Sequence, residues 1–311
     1  MSTTLVTGAA GQIGSALAPA LRDRYGTRAV LTSDVVESDG VSDPFETLDV
    51  TDYEALESVV DRHDVDRIFH LAAILSATGE QNPQRTYQVN VGGLYNVLEV
   101  GRKCDLERIV VPSSIAVFGP TTPPNPGEET ILRPTTMYGV SKVITELMAD
   151  YYYRRYDLDV RGIRFPGLLS HEAKPGGGTT DYAVEAFYEA LERGSYTCFL
   201  REDSRLPMMY MPDAVNALID LAEADDSDLR YRCEYNVGAL DFTPVELAAE
   251  IQRHVPDFEM FYEPDERQKI ADSWPDTVDD GAAREDWGWE PEYDLEEMTA
   301  DMVENLAAKL E

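Results

Sequence analysis

The chain has 311 residues and 43% of them are hydrophobic, which is enough for one large domain or two linked domains. Aspartate and glutamate number 59 against 26 lysines and arginines, so the formal net charge is −33. A surface this negative excludes nucleic acids and anionic membranes as expected partners.

Targeting and metal-binding signals are also missing from the sequence. No stretch reaches the roughly 18 consecutive apolar residues that a membrane-spanning helix needs. The N-terminal residues show no secretory signal pattern, and the three cysteines and four histidines form no cluster. We therefore expect a cytoplasmic protein without a metal site.

The first predicted unit is a strand, a glycine-rich turn and a helix. Residues 3–7 are rich in β-formers, GAAGQIG follows with Gly8, Gly11 and Gly14, and the next residues have helical spacing. This order is typical of a dinucleotide-binding site. The first glycine forms the turn, the second lets the pyrophosphate approach, and the third lets helix and strand pack. The helix N-terminus then offers free N–H groups to the phosphates.

The second predicted strand ends at Asp34, 20 residues beyond Gly14. At this distance an acidic side chain binds the adenine ribose hydroxyls, although a loop aspartate is the alternative. Val35 and Val36 follow instead of an arginine or lysine. Because a carboxylate repels a 2′-phosphate, we expect NAD rather than NADP.

Strands continue to alternate with helices through the first half of the chain. A third strand is predicted in FETLDVTD, leading to Asp49 and Val50, and a helix starts after it at Thr51-Asp52. Two further strands are predicted in DRIFHLAA and in RIVVPSSIAVFG. The alternation predicts a Rossmann-type doubly wound parallel sheet with its ligand at the carboxyl ends of the strands.

The alternation weakens beyond residue 165. We predict an NAD-binding domain over 1–165 and mainly a smaller substrate-binding lobe over 166–311, with about 205–240 returning to the first domain. In the second part, Asp213 is predicted to cap a helix, and Thr243 and Glu246 form a capping-box pattern.

Candidate catalytic residues come from a strand and a helix that follow one another. Tyr138 and Lys142 have the i, i+4 spacing that puts both on one face of a predicted helix. A neighbouring ammonium favours the phenolate form of a tyrosine, which can then act as a general base. Ser114 ends a predicted strand and could hydrogen-bond the substrate oxygen beside Tyr138.

With these motifs in this order, the chain resembles the extended short-chain dehydrogenase/reductase family. Within it, segments such as AAILSATGEQNP, PTTMYGVSK, PGGGTTDYAVEAFYEAL and RLPMMYMPDAV resemble the short-chain-type L-threonine 3-dehydrogenases, over residues 3 to about 291. The resemblance implies NAD-dependent oxidation of L-threonine at its Cβ hydroxyl. It also implies further cofactor contacts at Gln12, Ile13, Asp49, Val50, Leu71, Ala72, Ala73, Asn90, Pro166 and Leu168, besides Tyr138 and Lys142.

The implied substrate is a small zwitterion that needs partners for a carboxylate and an ammonium. Candidates besides Ser114 and Tyr138 are Ser76 and Trp274, together with the end of a glycine loop, Gly176 to Thr180, that includes Gly178 and Thr179. Trp274 either closes the pocket or is a structural indole. Asn90 either holds a water in a proton relay or packs between helices. Asp181 is expected to stabilise a helix N-terminus rather than bind the ammonium.

Two alternatives to threonine oxidation stay open. One is a nucleotide-sugar epimerase or dehydratase on the same scaffold, which Arg205 supports because it matches a family arginine that often touches diphosphate. Against it, Ile115-Ala116 follow Ser114 where sugar dehydratases have Asp-Glu, and Ser273 to Asp276 lack the arginine of the family's Arg-Pro-Gly-Asp stretch. The other alternative is a non-catalytic NAD-binding sensor.

The resemblance also implies a homodimer. In this family, the helices equivalent to residues 84–103 and 138–155 pair across a two-fold axis as a four-helix bundle. The alternative is that both helices are covered within the monomer.

The acidic, lysine-poor composition leads to a prediction about salt. Since a surface of this charge repels itself unless ions screen it, we expect a salt-adapted protein. The midpoint of thermal unfolding should rise between low and molar KCl. A midpoint that stays constant over this range would contradict the interpretation.

Overall fold

The computed structural model describes residues 2–36, 43–172 and 178–310. The strands are β1 (Thr3–Thr7), β2 (Val30–Asp34), β3 (Phe45–Thr47), β4 (Val65–His70), β5 (Arg108–Val110), β6 (Ser113–Ser114), β7 (Val160–Arg161), β8 (Ile163–Phe165), β9 (Gly167–Leu169), β10 (Ser195–Cys198), β11 (Leu206–Tyr210), β12 (Tyr235–Asn236), β13 (Leu240–Phe242) and β14 (Glu259–Tyr262). The α-helices are α1 (Gln12–Tyr25), α2 (Tyr53–Arg62), α3 (Ser76–Gln81), α4 (Pro83–Thr86), α5 (Leu94–Lys103), α6 (Met137–Tyr156), α7 (Tyr182–Arg193), α8 (Met211–Glu223), α9 (Pro244–His254), α10 (Arg267–Ala271), α11 (Gly281–Trp287) and α12 (Leu295–Leu310). Among the described residues, none of these helices has both the length and the apolar character needed to cross a bilayer.

The central sheet has six parallel strands in the order β3-β2-β1-β4-β5-β7. The order reverses between β1 and β4, and the loop after β1 begins at Gly8. Such a reversal opens a crevice at the carboxyl ends of the strands. The predicted doubly wound parallel sheet is therefore confirmed.

Alternate residues of each central strand pack against helices on opposite faces of this sheet. In β1, Val6 belongs to a core that includes Leu17 of α1 and Leu218 of α8. Its neighbour Leu5 belongs to the opposite core, with Leu56 of α2 and Leu98 of α5. Burial on both faces explains why Leu5 and Val6, which point to opposite faces of the sheet, are both apolar.

The predicted strand in RIVVPSSIAVFG is divided in two in the structure. β5 lies in the central sheet, whereas β6 pairs with β8 in a second parallel sheet, β12-β8-β6. Pro112 lies between them and has no N–H to continue the ladder. A 3-10 helix, Ile115–Val117, follows β6 directly. The division turns Ser113 and Ser114 toward the carboxyl edge of the central sheet.

The C-terminal part has a core of its own. It is formed by residues such as Phe187 of α7, Leu247 of α9 and Met302 of α12. It lies beside the sheet β13-β11-β9 and the pair β10-β14. Helix α8, within the predicted returning segment, packs on α1 of the first half. The domain boundary at residue 165 stays a prediction.

Two predicted helix starts differ in outcome. Thr243 and Glu246 form the predicted capping box, since each side chain accepts from the other residue's backbone N–H. Asp213, in contrast, lies inside the first turn of α8 and accepts from the backbone N–H groups of Glu292 and Tyr293. The predicted cap at Asp213 is wrong because a tertiary contact takes up its carboxylate.

The segment 84–103 is an interrupted helix. A π-helix, Tyr87–Gly93, separates α4 from α5. Tyr87, Tyr95 and, on α6, Leu147 and Tyr151 are at least half exposed. This apolar surface is compatible with the predicted dimer, which stays untested. Sedimentation equilibrium would distinguish the dimer from a monomer.

Candidate active site

A cavity of about 370 Å³ opens at the carboxyl ends of the central strands. Its walls come from the loops after β1, β4 and β6, from α6, and from residues 178–181 just before α7. This is where a doubly wound sheet binds its ligand. Most of the predicted site residues line this cavity: Gly8, Gly11, Gln12, Ile13, Gly14, Leu71, Ala72, Ala73, Ser76, Asn90, Ser114, Tyr138, Lys142, Pro166, Leu168, Gly178, Thr179, Thr180 and Trp274.

The glycine turn has the geometry of a phosphate cradle. Gly8 has φ +70, and a Cβ atom there would lie 2.6 Å from the backbone nitrogen of Ala72. A Cβ atom on Gly14 would lie 2.4 Å from the carbonyl oxygen of Gly8. The turn therefore excludes side chains, while the first N–H groups of α1 lack helical acceptors and can receive an anion. These residues fit the pyrophosphate of a dinucleotide.

Three predicted cofactor residues do not line the cavity: Asp34, Asp49 and Val50. Asp34 lies beside it, because its Oδ2 accepts from the Ala10 N–H at 3.0 Å, and Ala10 is a lining residue. Asp49 accepts from the N–H and hydroxyl of Thr51. Val50 is buried against Gly93. Their contacts with a cofactor stay predictions.

Asn90 packs between segments. Its Oδ1 accepts from the N–H of Ile74 at 2.8 Å, and its Nδ2 donates to the carbonyl of Ile74 at 3.0 Å and to the Ser141 hydroxyl at 3.2 Å. The side chain thus joins the loop after β4 to α6 and positions the loop just before Ser76. These contacts favour the packing alternative over a water relay.

The three candidate catalytic residues meet at one wall of the cavity. Thr136 caps α6 by accepting from the Gly139 N–H at 3.0 Å, which puts Tyr138 in the first helical turn. A Cβ atom on Gly139 would lie 2.2 Å from the Ala116 carbonyl oxygen, so only glycine lets α6 approach the segment after β6 this closely. The Lys142 ammonium lies 5.6 Å from the centre of the Tyr138 ring.

Burial dominates the acid–base properties of this wall. Loss of solvent raises the pKa of Tyr138 to about 12, although a hydrogen bond with Ser114 opposes the shift. Burial lowers the pKa of Lys142 to about 8, and the Glu146 carboxylate opposes this shift. Both shifts disfavour the charged form of the group. The expected phenolate therefore depends on additional positive charge, such as that of an oxidised nicotinamide.

The opposite wall comes from the end of the glycine loop. Thr179 is fully buried, and its hydroxyl is without a hydrogen-bond partner among the described residues. The Gly178 N–H donates to Asp181 Oδ2 at 2.7 Å. Gly176 and Gly177, which belong to the predicted loop, lie outside the described residues.

Asp181 lies at the N-terminus of α7, where the sequence predicted a helix-stabilising acid. It directly precedes α7, but its side chain makes no capping hydrogen bond. Asp181 is buried and is the one carboxylate among the lining residues that the structure describes. Its position two residues after Thr179 in a predicted pocket loop was the available signal.

Comparisons with known proteins agree with this geometry. The model of the NAD dependent epimerase/dehydratase family matches residues 4–238. An uncharacterised epimerase/dehydratase of Staphylococcus haemolyticus is 46% identical over 315 aligned residues, covering 99% of each chain.

Two solved structures are also similar over nearly the whole chain. One is the holo form of a GalE-like L-threonine dehydrogenase from Cupriavidus necator, 50% identical, with a TM-score of 0.95 over 98% of this chain and 99% of that one. The other is a monomeric L-threonine 3-dehydrogenase from a metagenome, 45% identical, with a TM-score of 0.97 over 99% of this chain and 100% of that one. These findings confirm the resemblance to extended short-chain enzymes.

The glycine cradle can be tested by substitution. In Gly14→Ala, the added Cβ must displace the Gly8 carbonyl, from which it would be 2.4 Å away. Since overpacking costs about 1–3 kcal/mol, NADH affinity should fall roughly 10-fold or more. Fluorescence titration with NADH measures this, and Gly92→Ala is the control because its Cβ has nothing within 4 Å. Parent-like affinity in Gly14→Ala would mean that the cradle does not hold the cofactor.

Proposed function

Because the chain belongs to the NAD-dependent epimerase/dehydratase family, we propose that it oxidises L-threonine at the Cβ hydroxyl to 2-amino-3-oxobutanoate, with NAD as the oxidant. One observation carries the proposal: Ser114, Tyr138 and Lys142 line a cavity that also contains the buried hydroxyl of Thr179, which has no partner among the described residues. The family and the threonine dehydrogenase neighbours support the reaction class.

The proton of the threonine hydroxyl passes to Tyr138, which acts as general base. Ser114 hydrogen-bonds the same substrate oxygen and keeps it beside Tyr138. Lys142 stabilises the phenolate by its positive charge. The glycine cradle would hold NAD, which would supply the oxidant for the Cβ–H bond of the substrate. The products are the ketone, NADH and one proton.

The opposite wall has the groups that a small amino acid requires. The hydroxyl of Thr179 or Thr180 suits a carboxylate. A buried hydroxyl without a partner is costly, and a substrate carboxylate would remove that cost. We propose that Asp181 faces the ammonium. If so, Asp181→Asn should raise the KM for threonine in steady-state assays.

The sugar-nucleotide alternative loses its main support. The Arg205 guanidinium donates to Asp241 and to both carboxylate oxygens of Glu246, at 2.7–2.8 Å. Arg205 is not among the residues that line the cavity, and Trp274 is. Two carboxylates already neutralise this arginine, so it is poorly suited to hold a diphosphate.

Removal of the proposed base tests the function. Tyr138→Phe should lower kcat for threonine-dependent NADH formation at least ~100-fold, because a positioned base contributes about 10²–10⁴-fold. NADH affinity should survive. Tyr151→Phe on the exposed side of the same helix is the control. Near-native turnover of Tyr138→Phe would disprove the assignment. NADH binding without any threonine oxidation by the parent would favour a sugar enzyme or a sensor.

The pocket wall is tested separately. The double variant Thr179→Ala/Thr180→Ala should raise the KM for threonine roughly 10-fold, since it loses about two hydrogen bonds of 0.5–1.5 kcal/mol. The KM for NAD should hardly change. Thr299→Ala is a matched control, because Thr299 also has a buried hydroxyl without a partner among the described residues but lies outside the cavity wall. An unchanged KM for threonine would show that this wall does not contact the substrate.

A further inference from the structure

Three consecutive residues attach the β6 segment to helix α6. The Pro112 carbonyl accepts from Lys142 Nζ at 2.6 Å. The Ser113 hydroxyl donates to Glu146 Oε1, also at 2.6 Å. The Ser114 hydroxyl lies beside Tyr138, whose pKa it lowers against the larger effect of burial. Two of these contacts involve the candidate catalytic residues, and the middle one involves Glu146, which the proposed reaction does not use.

Glu146 belongs to a buried ion pair. It is 2% exposed and receives Arg164 Nε on Oε1 at 2.8 Å and a terminal guanidinium nitrogen on Oε2 at 2.9 Å. Arg164 is 1% exposed and lies in β8, where its Cα pairs with that of Ser113 in β6. Glu146 therefore binds both partners of one strand pair from the facing helix.

Further contacts hold Arg164 in place. One of its terminal nitrogens donates to the Glu128 carbonyl at 3.1 Å and to Asn236 Oδ1 at 3.4 Å. Its guanidinium lies 5.4 Å from the centre of the Phe118 ring. The Glu146 carboxylate is thus bound by Ser113 and by Arg164, and Arg164 is itself fixed by these further contacts.

Stability alone is a poor reason for this arrangement. Moving two charges out of water costs several kcal/mol each, and well-packed apolar residues often replace such a pair without loss. The pair does, however, define the register between α6 and β6. It also puts a carboxylate one helical turn beyond Lys142, since i, i+4 residues share a helix face.

We propose that Glu146, held by Arg164, is a positioning residue that locks the Ser114 strand onto the helix of Tyr138 and Lys142 and supplies the anion next to the Lys142 ammonium. The proposal rests on the proposed function insofar as it concerns threonine oxidation. Its geometric part applies to any reaction at this site.

The groups around Lys142 give the expected direction of the charge effect. Tyr138 and Glu146 lie on its own helix, while His70 of β4 and Cys233, just before β12, face it from the sheets. Burial lowers the pKa of His70 to about 3, so that ring is neutral. Burial also raises the pKa of Cys233 well above its usual value, so the thiol is neutral too. Removal of the Glu146 charge should therefore lower the pKa of Lys142 further below its value of about 8.

The test compares Glu146→Gln with Asp150→Asn. Asp150 is a carboxylate on the same helix in an i, i+4 pair with Arg154, at 2.7 Å and near the surface. Glu146→Gln should lower kcat by roughly 10- to 100-fold, because small misplacements of catalytic groups have effects of this size. The KM for NAD should change little. The alkaline limb of the kcat–pH profile should move to lower pH, as Lys142 loses its proton earlier. Asp150→Asn should match the parent in kcat, in the KM for NAD and in the kcat–pH profile.

Lysine NMR gives a readout independent of turnover. The chain has five lysines, so the ε-¹³C signal of Lys142 can be assigned by its loss in Lys142→Arg. Its titration midpoint should be lower in Glu146→Gln than in the parent. If the parent does not oxidise threonine, the proposed function fails, but this titration still tests the contact between Glu146 and Lys142.

Two other variants cover the case in which Glu146→Gln does not fold. Ser113→Ala keeps the ion pair and removes the strand contact, so kcat should fall while the Lys142 titration stays at its parent position. Glu146→Asp keeps the charge and should restore the Lys142 midpoint but not the full kcat. Parent-like kcat in Ser113→Ala, or a Lys142 midpoint that does not move in Glu146→Gln, would overturn the proposal.

Discussion

The close contact between the β6 segment and helix α6 is the constraint on which the site depends. The two elements come from different parts of the chain, and each contributes only some of the reactive groups. Gly139 permits the approach because a side chain there would collide with the Ala116 carbonyl. Once the approach is made, Lys142 donates to Pro112, and Tyr138 lies beside Ser114. The acid–base wall of the cavity is therefore a property of packing rather than of any single residue.

Burial has two opposing effects on the charges of this site. The cavity removes solvent from Tyr138 and Lys142, and so each group favours its neutral form. The same loss of solvent strengthens the attraction of any charge that enters or borders the site. An anion beside Lys142 thus acts more strongly than it would at the surface.

Local patterns in the sequence were sufficient for the core of the fold. Spacing of Gly8, Gly11 and Gly14, with a strand before and a helix after, predicted the cofactor cradle, because these requirements involve adjacent residues. The capping box at Thr243 is equally local. Features that depend on distant partners were not predictable in this way. Asp213 binds the backbone of Glu292 and Tyr293, and the strand after Arg108 divides because β6 finds its partner in β8. Motif spacing likewise cannot tell that Asp181 faces a cavity.

The distribution of the cavity wall along the chain has a consequence for the order in which the site can form. Gly8 and Trp274 border the same space although 265 residues lie between them. The glycine turn is complete as soon as its strand and helix have formed. The part of the wall that contains Trp274 can form only after the last part of the polypeptide has been made. A chain leaving the ribosome would therefore acquire the glycine turn long before it could complete the cavity. Full activity then depends on contacts between residues that are far apart in the sequence. Formation of such contacts is the slow part of folding for this topology.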